Sequence, residues 1–276
     1  MSSAGKSLIT SGLCRLFQRR GLRVAPFKSQ NMSNFSTVLE DGAEISRAQA
    51  IQAAAARIAP SVDMNPILMK PKAEFKSEIF VRGRPLMTCS GREYFRMRDM
   101  LWQSVTASLN RLRAENDLIL LEGAGSIAEL NLIQSDLVNV RIARYAQAPI
   151  LLVGDIDRGG IFAQLIGSWY VLPPESRSLL RGFIVNKFRG DIALFEDGVR
   201  ILEERSEGVP VVGVVPMLKN LHIPEEDSAS MSLRGGIDDA TVEDEELDRA
   251  FDALADHLEK HLDLDQVVQI IERGID

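Results

Sequence analysis

The chain has few cysteines and no long apolar run. Among its 276 residues only two are cysteines, Cys14 and Cys89, and they stand far apart. This usage excludes a disulfide framework and a cysteine-based metal site, and it is typical of a protein of the reducing cytoplasm. Neither a signal-peptide pattern nor an apolar run of about 18 residues is present, so we expect no membrane partner.

The chain also lacks the excess of basic residues that nucleic-acid binding favours. Its formal net charge is −7, so we expect no nucleic-acid partner. Acidic residues concentrate in 225–276, whereas the first 120 residues are rich in Arg and Lys. That basic half suits an anionic ligand, such as a nucleoside triphosphate or a polycarboxylate. The three histidines form no HExxH motif, and we interpret His257 and His261 as a solvated helix face.

Short β-branched apolar runs alternate with segments of helical periodicity. The runs indicate strands buried on both faces of a parallel sheet, at 22–27, 118–121, 149–154, 182–185 and 211–215. Helical patterns lie at about 5–20, 46–58, 93–115, 136–146, 160–171 and 192–206. The alternation predicts an α/β fold, with one doubly wound, mostly parallel sheet and helices on both faces.

Two segments depart from this alternation. Residues 60–92 contain four prolines, and we interpret them as an insertion with a hairpin and a short strand at 79–82. We therefore predict a main domain over 1–228. Residues 229–276 are expected to form an acidic linker and surface-docked C-terminal helices, with Asp263 as a cap where the second helix starts.

Gly5, Lys6 and Ser7 open the first helical pattern and resemble the second half of a phosphate-binding loop. In such a loop Lys6 and the backbone N–H groups hold nucleotide phosphates, and the Ser7 hydroxyl ligates Mg²⁺. The alternative is an ordinary helix start capped by serine. No leading glycine and no hydrophobic strand precede the motif in this sequence.

Three charged residues are candidates for chemistry beside such a loop. Glu122 directly follows the run at 118–121, where a carboxylate meets Mg²⁺ in P-loop enzymes, although it could instead cap the next helix. Lys28 follows the run at 22–27 and is either a point charge for a phosphate or carboxylate, or a solvated lysine. Glu44 is either a second Mg²⁺ ligand or an acid favourable to a helix dipole.

Polar turns follow the two later strands. Asn186 and Lys187 resemble the base-reading loop of nucleotide enzymes, since an asparagine amide offers both a donor and an acceptor to a purine. The alternative is a simple turn. Asp157, before Arg158 and two glycines, either places an acid near the reacting groups or only caps the next helix.

Eight ordered blocks make the sequence similar to the synthetase domain of cobyric acid synthase. They include Gly5-Lys6-Ser7, Glu122-Gly123-Ala124-Gly125 and Asn186-Lys187-Phe188-Arg189-Gly190-Asp191. The full set covers residues 2–7, 24–32, 44–49, 62–66, 122–126, 155–160, 185–191 and 221–228. The resemblance extends over about residues 1–230.

This resemblance implies a fold like dethiobiotin synthetase and an ATP-dependent amidation. ATP and Mg²⁺ would activate the b, d, e and g carboxylates of adenosylcobyrinic acid a,c-diamide as acyl phosphates, and ammonia would then displace phosphate. It implies Lys6, Lys28 and Asp157 as catalytic residues, and Gly5, Lys6, Ser7, Asn186 and Lys187 as nucleotide-binding residues. Ser7, Glu44 and Glu122 would be metal ligands, and a homodimer is expected.

The sequence departs from that family's pattern at both ends. The family has a strand and Gly-Thr before the residues that match 1–3, so we expect either a start codon upstream or a damaged copy. No glutaminase sequence with its cysteine follows residue 228, so free ammonia or a separate glutaminase subunit is expected. The alternatives are a non-catalytic remnant or nucleotide-binding module, and a cobyrinic acid a,c-diamide synthase.

Overall fold

The computed structural model describes residues 4–72, 75–218, 223 and 242–274. The chain divides into two compact units, each assembled from separate segments. The Glu122 unit comprises Ser7–Glu122 and Leu221–Ala255, and the Asn186 unit comprises Met1–Lys6, Gly123–Asn220 and Asp256–Asp276. The domain boundary predicted at residue 228, and most of the motif at 221–228, lie outside the described residues.

The helices include all six that the sequence predicts, but some bounds differ, and a short helix over Pro174–Arg177 was not predicted. They are α1 Lys6–Arg19, α2 Arg47–Ala55, α3 Gly91–Arg96, α4 Arg98–Glu115, α5 Val140–Ala146, α6 Ile161–Val171, α7 Pro174–Arg177, α8 Glu196–Arg205, α9 Val242–His261 and α10 Leu264–Arg273. The stretch predicted as one helix over 93–115 is two, since a capping box between Ser90 and Glu93 starts α3 and the helix breaks at Met97. Helix α5 begins later than predicted because the Asp136 carboxylate accepts hydrogen bonds from the N–H groups of Val138 and Asn139.

The strands include all five that the apolar runs predict. They are β1 Val24–Phe27, β2 Gln30–Met32, β3 Ser36–Val38, β4 Glu44–Ser46, β5 Ile67–Pro71, β6 Lys76–Val81, β7 Arg84–Ser90, β8 Leu118–Leu121, β9 Ile150–Asp155, β10 Leu180–Phe188 and β11 Val211–Pro216. The five predicted strands are β1, β8, β9, β10 and β11, and every pair among them is parallel. Within the described residues their hydrogen bonds form two sheets, β1–β8 and β9–β10–β11, rather than the single sheet predicted.

The Asn186 unit has helices on both faces of its parallel sheet. On one face Leu152, Phe183 and Val185 pack with residues of α5, α6 and α8 in one buried cluster. On the other face α10 covers Gly182, since a Cβ added there would lie in van der Waals contact with Ile270, at 3.6 Å. This confirms the predicted α/β class with a sheet buried on both sides.

The Glu122 unit contains the segment predicted as an insertion with a hairpin. That prediction was incomplete, because β5, β6 and β7 form an antiparallel meander that joins β2 in a four-stranded mixed sheet. The sheet accommodates its prolines, with one register shift in the β6–β7 pair beside Pro85. Pro66 precedes β5 and Pro71 ends it, while Pro85 lies in β7, an edge strand, where a missing N–H is tolerated.

A buried arginine ties the C-terminal helix α9 into the Glu122 unit. Arg15 of α1 is 0 % exposed, and its guanidinium donates to the Ala55 carbonyl at 2.8 Å, at the C-terminus of α2. It also forms ion pairs with Asp248 and Asp252 of α9, and lies over the Phe251 ring. Burial acts to raise the pKa of Asp248, but hydrogen bonds from Arg15 and Arg57 outweigh it and hold that pKa below its usual value.

The cap predicted for the last helix is present, whereas the prediction for the histidines was wrong. The Asp263 carboxylate accepts a hydrogen bond from the Gln266 N–H at 2.9 Å, as an N-cap does. Cys14 is fully buried, as expected for a core position, and burial raises the pKa of its thiol. The prediction of a solvated histidine face was wrong, because His257 is half-buried and its Nε2–H donates to the Pro216 carbonyl at 2.9 Å.

In the part of the chain that the structure describes, no helix has the length and apolarity needed to cross a membrane.

His257 should make folding stability depend on pH near neutrality. Burial, together with the neighbouring His261 and Lys260, lowers its pKa below the ordinary 6.5. The unfolded chain therefore binds the proton more readily, and stability present above pH 6.5 is lost as pH falls through the folded-state pKa. We expect the melting temperature to fall between pH 8 and pH 5, and to fall less for His257→Gln than for the wild type.

The matched control is His261→Gln, which leaves the burial of His257 in place. It should keep most of the wild-type pH dependence. Identical pH profiles for the wild type and His257→Gln would contradict this assignment.

Candidate functional site

Gly5 and the start of α1 supply a helix N-terminus of the kind that can bind an anion. Gly5 has a φ of +87°, which favours glycine, and α1 begins at the next residue, Lys6. The first N–H groups of a helix lack intrahelical partners, and they carry the positive end of its dipole. Such an end binds phosphate. Lys6 and Ser7 are consecutive but fall in different units, so the contacts of each unit are described separately.

In the Glu122 unit, three predicted residues meet at one carboxylate. Glu122 is 4 % exposed and directly follows β8. Its Oε1 accepts from the Ser7 hydroxyl at 2.8 Å and from Lys28 Nζ at 3.0 Å. Lys28 directly follows β1, which pairs with β8 in parallel, so both side chains leave the same end of the sheet. The structure therefore brings together Ser7, Lys28 and Glu122 as the sequence predicts.

A fourth residue at this carboxylate was not predicted. Gln52 of α2 is fully buried and donates from Nε2 to Glu122 Oε2 at 2.5 Å. The only sequence signal is its setting, since Gln49 and Gln52 stand three residues apart in an alanine-rich helix. Polar side chains on the buried face of a close-packed helix need a partner, and that requirement could have drawn attention to them.

The cluster around Glu122 has the donor chemistry that Mg²⁺ requires. A hydroxyl and a carboxylate are hard oxygen ligands, and Mg²⁺ commonly takes one or two protein oxygens together with phosphates and waters. The Ser7 and Glu122 oxygens lie 2.8 Å apart, so they can share one cation. Among the described residues no group of three or more His, Cys, Asp or Glu side chains could hold a metal. The residues present thus fit Mg²⁺ bound together with a nucleotide, and do not form a cage of their own.

Glu44 has different partners. Its carboxylate pairs with Lys70 and accepts a hydrogen bond from the Ser36 hydroxyl. Burial acts to raise the pKa of Glu44, but the bonds from Lys70 and Ser36 outweigh it and lower that pKa. These residues are all described, and no hydrogen bond or ion pair joins Glu44 to Ser7 or Glu122. Its role as a second metal ligand stays a prediction.

In the Asn186 unit, Asn186 supports the backbone of the phosphate-loop residues. Its Nδ2 donates to the Ala4 carbonyl at 2.8 Å. A Cβ added at Gly5 would lie 2.3 Å from the same Nδ2, so the loop and this amide fit only if residue 5 is glycine. Lys6 Nζ donates to the Gly125 carbonyl at 3.3 Å. The loop residues and Asn186 are thus coupled directly.

The loop that follows Glu122 is held by Asn139. Its Nδ2 donates to the Ala124 carbonyl at 2.9 Å, and a Cβ added at Gly123 would lie 2.4 Å from its Oδ1. The Gly125 carbonyl that accepts from Lys6 belongs to the same loop. Gly123 therefore permits the close approach of the Asn139 side chain.

Asp155 is the last residue of β9 and Asp157 follows that strand, and the two aspartates have different surroundings. Asp155 is 1 % exposed and pairs with Lys187 at 2.8 Å, and Lys187 has a positive φ of 60°. Asp157, the residue predicted to be catalytic, pairs with Arg189 at 2.6 Å and its side chain is 37 % exposed. Asp155 was not predicted, although it lies two residues earlier. It pairs in register with Asn186, because β10 extends to Phe188 and both Asn186 and Lys187 lie within that strand, not in a turn after it as predicted.

Comparisons with known proteins give the family of the chain. The family model of the CobQ/CobB/MinD/ParA nucleotide binding domain, CbiA, matches residues 1–230. The chain is 57% identical over 230 residues to the cobyric acid synthase of Roseiflexus castenholzii, and 59% identical over 230 residues to that of Chloroflexus aggregans. It is 54% identical over 233 residues to the cobyric acid synthase of Sorangium cellulosum.

These matches cover 83%, 83% and 84% of this chain but 47%, 47% and 45% of the relatives, so the chain spans about half the length of the curated proteins it matches. The resemblance to cobyric acid synthase is confirmed over the region where the sequence blocks predicted it. From the family model and the fold, the chain belongs to the CbiA family of CobQ/CobB/MinD/ParA nucleotide binding domains.

Proposed function

We propose that the chain carries out the ATP-dependent amidation of corrin-ring carboxylates in cobalamin biosynthesis. The observation that carries the proposal is the cluster of Ser7, Lys28 and Glu122, in which Ser7 lies in the first turn of the helix that follows the phosphate-loop motif. The identity of over 50% to cobyric acid synthases supports the same reaction class. We infer the b, d, e and g carboxylates of adenosylcobyrinic acid a,c-diamide as the groups amidated.

The reaction requires two displacements. A substrate carboxylate oxygen attacks the γ-phosphorus of ATP, the bond to ADP breaks, and an acyl phosphate forms. Ammonia then attacks the acyl carbon, phosphate leaves with the bonding electrons, and a proton is lost from nitrogen to give the amide. Phosphoryl transfer of this kind is accelerated chiefly by positioning and by fixed positive charge.

The residues divide these tasks. Gly5 and Lys6 would hold the phosphates, and Ser7 and Glu122 would hold Mg²⁺, which would neutralise charge on the transferring group. Lys28 is a buried cation whose Nζ is held by Glu122, so it is pre-positioned to stabilise the carboxylate or phosphoryl oxygens. Asn186 and Lys187 form the nucleobase side, and Asp157 stays a predicted catalytic residue. Free ammonia or a separate glutaminase subunit, and a homodimer, belong to the same proposal.

Lys28→Met should lower the rate of ADP release by about 100-fold, the loss typical when one fixed stabilising group is removed from a transition state. The measurement is ADP formation by the purified chain with the corrinoid, ammonium, ATP and Mg²⁺, alongside mass spectrometry of the amide product. The matched control is Lys72→Met, since Lys72 is exposed and pairs with Glu78 in the meander. It should behave as the wild type.

The two readouts separate the parts of the proposal. If the folded wild-type chain releases no ADP with corrinoid and ammonium, the amidation is refuted. If the wild type is active and Lys28→Met matches it, the role of Lys28 alone is wrong.

A further inference from the structure

Gln52 contacts the proposed metal ligand through the oxygen that no other described side chain uses. Ser7 and Lys28 both donate to Glu122 Oε1, whereas Gln52 Nε2 donates to Oε2 at 2.5 Å. A carboxylate only accepts hydrogen bonds, so the Gln52 amide must turn its nitrogen toward it. Partners on Oε1 alone would leave the carboxylate plane free to rotate about that oxygen. The bond from Gln52 fixes its orientation.

The rest of the Gln52 amide shows that packing does not explain the residue. Its Oε1 is buried and has no hydrogen-bond partner among the described residues. An unpartnered buried carbonyl costs free energy, which an apolar side chain of the same length would avoid. The neighbouring positions 50, 51, 53 and 55 of α2 are all apolar and buried. The Gln52 carbonyl has no partner, and the Gln52 N–H group that donates to Glu122 is the part of the amide that is satisfied. We infer that this hydrogen bond is the reason for a glutamine at this position.

We propose that Gln52 is a positioning residue that orients the Glu122 carboxylate for the Mg²⁺ that accompanies ATP. The inference rests on the nucleotide and metal part of the proposed function, and it extends that part beyond the residues of the motif. Residues that hydrogen-bond a metal ligand set its orientation, and their loss weakens metal affinity by about 10- to 100-fold. Gln52 is assigned this role through its hydrogen bond to Glu122, not through a contact with ATP or the substrate.

The chain offers a closely matched control one helical turn earlier. Gln49 is also fully buried on α2 and also has an unpartnered atom, its Nε2. Its Oε1 accepts from Asn31 Nδ2 at 3.3 Å, and it makes no hydrogen bond to Glu122. Gln49→Met therefore removes the same side-chain chemistry from the same helix face without touching the carboxylate. Thermal melts of both variants establish that each is folded.

The test is calorimetric titration of ATP into the wild type, Gln52→Met and Gln49→Met at a series of Mg²⁺ concentrations. For Gln52→Met we expect the half-saturating Mg²⁺ concentration to rise about tenfold, with ATP affinity recovering in excess Mg²⁺. Gln49→Met should keep the wild-type Mg²⁺ dependence. An unchanged Mg²⁺ dependence in folded Gln52→Met, or an equal shift in Gln49→Met, overturns the proposal.

A measurement without nucleotide separates this inference from the proposed function. If the wild type binds no ATP, nucleotide binding fails by itself, and the Gln52 contact is then tested by NMR of side-chain amides. Spectra of the two variants assign the signals by their disappearance. We expect one Gln52 amide proton to lie well downfield of both Gln49 amide protons, because only Gln52 donates to a carboxylate. A Gln52 signal without that displacement overturns the positioning role.

Discussion

Gly5→Ala is expected to lower the affinity for ATP by about 100-fold or more. Two free-energy costs of roughly 1–3 kcal/mol each add up, and each 1.4 kcal/mol is a tenfold loss of affinity. The first cost is backbone strain, because an alanine at a φ of +87° is in the left-handed region. The second is the hydrogen bond from Asn186 to the Ala4 carbonyl, because the new Cβ would lie 2.3 Å from the donating Nδ2. Calorimetric titration with ATP and Mg²⁺ measures the loss.

The chain contains a natural control for the strain term. Gly21, just beyond the end of α1, has nearly the same φ of +88°, and an added Cβ meets nothing within 4 Å. Gly21→Ala should lower the melting temperature while ATP affinity stays at the wild-type value. ATP binding that survives Gly5→Ala, or that is lost equally in Gly21→Ala, would show that the fit between Gly5 and Asn186 is unimportant.

Arg15→Met is expected to reduce the free energy of unfolding by about 3 kcal/mol, near the lower end of the values for a broken buried ion pair. Loss of the guanidinium deprives the Ala55 carbonyl at the end of α2 of its hydrogen-bond donor. It also deprives Asp248 and Asp252 of their buried cation. The estimate is near the lower end because the two aspartates are 43% and 40% exposed and regain water. Urea denaturation followed by circular dichroism gives the value.

Arg19→Met on the same helix is the comparison. Arg19 is 38% exposed, lies 4.0 Å from the Asp252 carboxylate and donates to the Asp252 carbonyl at 3.5 Å, so its removal should cost less than about 1 kcal/mol. Equal midpoints for the two variants would mean that burial of Arg15 adds nothing to the stability of the Glu122 unit.

How far the sequence predicts the fold depends on how strands are buried. The bounds of β8 coincide with the predicted run, because the strand is apolar at all four positions and polar residues flank it. The meander was largely missed because its outer strand β7 is exposed from Arg84 to Thr88 and has no apolar signal. The division into two sheets was also missed, since apolar periodicity identifies strands but does not tell which of them share hydrogen bonds.

The site was predictable where chain direction determines position. Lys28 and Glu122 follow paired parallel strands and Ser7 lies in the first turn of a helix, so their meeting follows from the motif and the topology. Gln52 was not predictable, because a glutamine in a helix usually lies on the surface. Asp155 ends β9 and Asp157 lies just after it, and the two differ in burial and in ion-pair partner, which spacing alone does not determine.

The acidic C-terminal segment is better understood as a source of counter-ions than as a polar tail. Its helix α9 lies beyond the region that the family model matches, which ends at residue 230, yet Phe251, Leu254 and Leu258 are buried. Two of its carboxylates, Asp248 and Asp252, form ion pairs with the buried Arg15, and Asp248 also pairs with Arg57. Part of the negative charge of this segment therefore balances positive charge within the protein. A fragment cut at the family boundary would therefore uncover a cation as well as an apolar surface. The segment that packs into the fold therefore extends beyond residue 230, where the match to the family model ends.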